Sequence, residues 1–123
     1  MAFAVDEKGN IKIIQGDSGI IVFNNIPIDK NYKAFFGVQD AERNPIGSEI
    51  MVETLMKPSV AICMTGNYTD LFVVPDDQKS AIYYYGLKLC YEADGTEDTL
   101  ILGTAPFGEQ NTITVYPRKV KGI

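Results

Sequence analysis

Asp76-Asp77 and the run Asp94-Gly95-Thr96-Glu97-Asp98 set carboxylates close enough together to bind a cation or to share acid–base work on a glycosidic bond. Neither run has the alternating ligands and closing glutamate of a twelve-residue calcium loop. Both carry the turn chemistry of Asp, Gly and Pro, so solvated turns are the expected reading. Cys63 and Cys90 are the two candidate nucleophiles. The chain has no histidine, which removes the usual Ser-His and Cys-His arrangements and the commonest metal ligand. Both cysteines stand among apolar neighbours and are expected to be unbridged, buried core residues. Tyr83-Tyr84-Tyr85 offers aromatic faces on which a sugar ring could stack. In a strand Tyr83 and Tyr85 share one face and Tyr84 takes the other, so the first two are expected in the core and Tyr84 at the surface or against a partner. Gly16 and Gly19 lack the strand-to-helix context of a phosphate-binding loop.

The elements that position these residues read almost entirely as strands. Residues 11–14, 18–24 (SGIIVFN), 34–39 (AFFGVQ), 49–56, 60–64, 69–74 (TDLFVV), 81–92 (AIYYYGLKLCYE), 99–103 and 111–116 are β-branched, aromatic or alternating. Gly, Pro, Asn and Asp punctuate them, most clearly at Asn24-Asn25, Asn44-Pro45-Ile46-Gly47, Pro75-Asp76-Asp77 and Asp94-Gly95. The odd positions of 81–92 (Tyr83, Tyr85, Leu87, Leu89, Tyr91) are all large and apolar, so one face is buried. Short strands with turns at such spacing predict an antiparallel sandwich or barrel. Residues 1–10 are expected to be a flexible N-terminal segment and 118–123 a tail leading away from a domain spanning 11–117.

The chain has 123 residues, enough for one hydrophobic core. Eleven basic and sixteen acidic residues give a net charge of −5, which argues against nucleic acid as a partner. There is no apolar run of membrane-spanning length and no secretory signal at the start, so synthesis in a cytoplasm and no membrane partner are expected.

The stretch Ile11-Lys12-Ile13-Ile14-Gln15-Gly16-Asp17-Ser18-Gly19 resembles the opening of small phage tail and baseplate domains, in particular the N-terminal domain of baseplate upper proteins from phages and prophages of Gram-positive bacteria. Residues 34–40 and 44–47 occupy the place of that family's aromatic strand and turn. Leu71 to Asp77, Ile82 to Leu89, the Asp94-Gly95 hairpin and residues 111–117 follow in the same order. Gly86 stands where the family usually has Asp. The resemblance implies an immunoglobulin-like sandwich that serves as a virion part made in a bacterial host, docking to other tail or baseplate proteins and contributing to host attachment, as a homo-oligomer of three or six copies, without catalysis or cofactor.

The fold expected is therefore all-β: an antiparallel, immunoglobulin-like β-sandwich of about seven to nine strands. Its expected core is Ile13, Ile20, Val22, Phe35, Val38, Leu71, Val73, Tyr83, Tyr85, Leu87, Leu89, Leu100, Leu102, Ile113 and Val115. No catalytic, cofactor-binding or metal-binding residues are assigned. The interface candidates are Tyr84, Phe107 and the loop 42–47, with Glu42, Arg43 and Asn44 at its tip. The alternative reading is a carbohydrate-binding module recognising cell-surface glycans through exposed aromatics. A calcium-dependent adhesive domain is a third.

Overall fold

A computed structural model describes residues 3–100 and 111–120. Among them are nine strands and one helical turn: β1 (Ala4–Val5), β2 (Ile11–Ile14), β3 (Gly19–Asn24), β4 (Lys33–Gln39), β5 (Ile50–Glu53), β6 (Ser59–Met64), α1 (Gly66–Thr69), β7 (Ala81–Tyr91), β8 (Thr96–Leu100) and β9 (Asn111–Tyr116). The fold is all-β and sandwich-like. A seven-stranded sheet in the order β1-β2-β9-β7-β4-β5, with β8 also on β7, lies over a two-stranded sheet of β3 and β6. One pair departs from the antiparallel expectation: β2 and β9 run parallel, with Ile11 beside Ile113 and Ile13 beside Val115.

The eleven residues of β7 organise the large sheet. One side pairs with β4 from Tyr84 to Cys90. The other is shared, Ala81 to Tyr85 with β9 and Leu87 to Tyr91 with β8, so Gly86 marks the change of partner. Tyr83, Tyr85, Leu87 and Leu89 point into the core, as the alternation predicts, beside Val38, Ile13, Ile113 and Val115. Phe23 of β3 meets the ring of Phe36 on β4 and that of Tyr85 on β7, each at 6.1 Å between centroids.

The expected core is off by one residue in two strands. Ile20 and Val22 are exposed while Ile21 and Phe23 are buried, and Phe36, not Phe35, is inside. Both runs are apolar on both faces, so alternation cannot choose; the rings of Phe23 and Phe36 fill the inter-sheet space and set the parity. Cys63 is a second correction. Val60, Ile62 and Met64 face inward on β6, which turns Cys63 outward opposite Ile20.

Residues 69–74 form no strand. Thr65 caps α1 by accepting from Tyr68 N at 3.2 Å, and the Thr69 hydroxyl donates to Asp17 O at 2.7 Å. The chain then runs past with Phe72 buried and Leu71 and Val73 exposed. Val73 O is satisfied by the Tyr83 hydroxyl at 2.6 Å, in place of a ladder partner. Leu100 is only half-buried, and Leu102 lies outside the described residues.

The segment before residue 11 belongs to the fold from Phe3 onward. β1 pairs with β2, and the Phe3 ring is buried against Gly19, where an added Cβ would lie 2.5 Å from Phe3 Cδ2. At the other end Arg118 pairs with Asp70 and lies over Gly16, so the chain is still on the fold at 118.

The parity of β3 has a direct test. Phe23→Ala should cost about 3–5 kcal/mol in urea denaturation, and Val22→Ala under about 1 kcal/mol. The reverse order would return the strand to the expected register.

Candidate functional site

On the outer face of the large sheet, β4 and β7 set Gly37 opposite Gly86. Two side chains are missing side by side; the Glu49 side chain lies over Gly37, 3.5 Å from where a Cβ would stand, and at Gly86 the surface dips to the backbone. A Cβ added at Gly86 would meet nothing within 4 Å. One wall of this trough is the row of Phe35 and Lys88, and the other is the row of Gln39 and Tyr84. Each row stands two residues from the floor, roughly 7 Å along the strand. Glu49, Ser48 and Gly47 close one side, and Glu97 and Thr99 of β8 the other, around a volume of about 570 Å³. Lys88 is paired with Glu97 at 3.2 Å.

Cys90 lines the same trough, half-buried, rather than the core. Its Sγ lies 3.9 Å from Glu97 Oε1, and burial together with that carboxylate pushes the thiol pKa up. The thiolate is disfavoured, the opposite of an activated nucleophile.

Of the interface candidates, Tyr84 is half-buried on the trough wall. Loop 40–44 leaves from Gln39, and Pro45 bridges back to Gln39, so the root of the loop lines the trough while Glu42, Arg43 and Asn44 stand exposed beyond it. Phe107 lies outside the described residues. Phe35, Gly37 and Gly86 were missed: the signal was two glycines at the centres of two aromatic strands, each of which reads as an ordinary break until the strands are paired.

The loop is held by Asp40. Its Oδ1 accepts from Glu42 N and Asn44 N, both at 2.9 Å, and its backbone N donates to Asn44 O at 3.0 Å. Asp6 makes the same set with Lys8 N, Asn10 N and Asn10 O. The two turns share the order Asp-x-x-x-Asn, with a left-handed fourth residue: Gly9 at φ 85° and Arg43 at φ 68°. Only the first has the residue that adopts this conformation without strain. The 6–10 turn is also tied to the large sheet. Gly9 O accepts from the Tyr85 hydroxyl at 2.5 Å, Lys8 O from Asn111 Nδ2 at 2.9 Å, and Asn10 Oδ1 from Thr112 N at 3.2 Å. Burial, then Asp6, pushes the Tyr85 pKa far up.

The chain matches no protein-family model and no curated protein. Among the described residues no three acidic or cysteine side chains are placed to hold a metal ion, and no helix is long and apolar enough to cross a membrane.

Two outcomes follow from the turns. Arg43→Gly should raise stability by up to about 1 kcal/mol by relieving the left-handed backbone, read as a higher melting temperature. Backbone donors, Asn10 N and Asn44 N first, hold the Asp6 and Asp40 carboxyls below their ordinary 3.8, and Thr96 does the same for Asp94. The unfolded chain therefore binds more protons in this range. The stability these groups give is present above the ordinary value and is lost as pH falls through the lowered one. Melting temperature should drop on acidification from about pH 5 to 2, with a shallower slope in Asp40→Asn.

Proposed function

We propose that this chain is a non-enzymatic docking module of a phage or prophage tail or baseplate, made in a bacterial host, that seats a neighbouring tail protein in the Gly37–Gly86 trough. The observation that carries the docking part is the trough itself. It is a concave surface whose floor at Gly86 is sheet backbone and whose two walls each set a partly exposed aromatic, Phe35 or Tyr84, beside a polar side chain, Lys88 or Gln39, all fixed by strand pairing. Such a surface is pre-organised, so little ordering entropy is lost when a partner binds. Two of its three charged side chains, Lys88 and Glu97, are paired with each other at 3.2 Å. The tail assignment is supported by the order of segments from residue 11 to 117.

A second reading, recognition of a cell-surface glycan, is favoured by one feature: Phe35 and Tyr84 flank a backbone floor edged by Glu49, Glu97 and Lys88. Aromatic faces with polar groups at the margin suit a pyranose ring.

Particles purified from an induced source strain should contain peptides of this chain at three or six copies per tail. Gly86→Tyr fills the trough in open space on a strand and should leave the melting temperature within a few degrees, by analogy with other exposed strand substitutions, yet abolish incorporation. Particles lacking the wild-type chain would sink the tail reading. Binding of soluble glycans by the wild type, lost in Gly86→Tyr, would put the glycan reading in its place.

A further inference from the structure

The small sheet has two properties that the trough does not explain. Residues 18–28 and 58–69, which include all of β3 and β6, contain no charged residue in a chain that has eleven basic and sixteen acidic ones. Its outer face is apolar up to the Asn24–Ser59 end: Ile20 and Val22 are close to half exposed, opposite Cys63 and Ala61.

The edges differ in the same way. Edge strands are ordinarily kept from pairing by charges, by proline or by being short. β1 has two residues, β5 ends in Glu53, and β8 carries Glu97 and Asp98. β6 lies against β5. β3 has six residues, GIIVFN, with neither charge nor proline, and among the described residues its sole strand partner is β6. Among the described residues no strand pairs with its other edge, which runs beside exposed isoleucine and valine.

We propose that this edge pairs with the same edge of a second copy, β3 antiparallel to β3 about a two-fold axis, to make a continuous four-stranded sheet. Three observations favour a second copy over an unrelated strand. An antiparallel edge is its own complement under two-fold symmetry. A register centred on Ile21 sets the exposed Ile20 of each copy against Val22 of the other, and one centred on Val22 sets Val22 against Val22, outer face beside outer face. The charge-free stretch lets two chains of net charge −5 meet without placing carboxylates opposite one another. The edge is about 20 Å long, so the contact belongs to the small, reversible class of interfaces. This inference is independent of the tail reading, since it concerns a different sheet and needs no other protein.

Sedimentation velocity from micromolar to millimolar protein should show a monomer giving way to a dimer as concentration rises. Val22→Lys and Val22→Glu, at a half-exposed position, should each melt like the wild type and stay monomeric. An equimolar mixture of the two should recover the dimer. A wild type that remains monomeric at millimolar concentration overturns the proposal, as does a Val22→Lys protein that dimerises like the wild type. Single variants that are monomeric and stay so when mixed would place Val22 away from its own copy and overturn the two-fold pairing.

Discussion

Three rings hold the two sheets together. Phe23 reaches from the two-stranded sheet to Phe36 and Tyr85 of the seven-stranded one, and Phe36 and Tyr85 are themselves stacked at 5.6 Å. A two-stranded sheet is not stable alone in water, so β3 and β6 exist because this contact buries their inner face. The same contact reaches the N-terminal segment. Tyr85 gives its ring to the cluster and its hydroxyl to Gly9 O, which fixes the 6–10 turn and, through it, β1.

That cluster also explains what the sequence makes legible and what it hides. β7 is plain because its apolar residues occupy one parity only, and the all-β class follows from strands and turns of clear type. β3 and β4 are apolar on both parities, and only the partner across the sheet decides which side is inside. The Thr69 to Val74 run has strand composition, yet the Thr65 cap and the Thr69 hydroxyl bond give its backbone a nearer arrangement. Residues 3–10 look like a loose end because the short apolar start gives way at once to Asp6-Glu7-Lys8-Gly9-Asn10; the pocket of Phe3 over Gly19 is made by a strand sixteen residues away.

The candidate site was legible in part for the same reason. Tyr84 and the root of the 40–44 loop could be picked out as surface features of single segments. The trough between them could not, because it is an absence of side chains created when Gly37 and Gly86 come into register. The apolar neighbours of Cys90 suggest a core residue, but its own parity on β7 opposes that of Leu87 and Leu89 and sends it to the outer face.

The parallel pairing of β2 with β9 joins residues about a hundred positions apart, and Thr112 N reaches Asn10 across 102 of them. The large sheet cannot be completed by any part of the chain that ends short of residue 111. On a ribosome the early strands therefore wait, with Ile11 and Ile13 lacking their long-range neighbour, until β9 has emerged. Closing so long a loop is slow. For this protein the interval between synthesis of β2 and arrival of β9 is the window in which its own core does not yet shield those residues from aggregation.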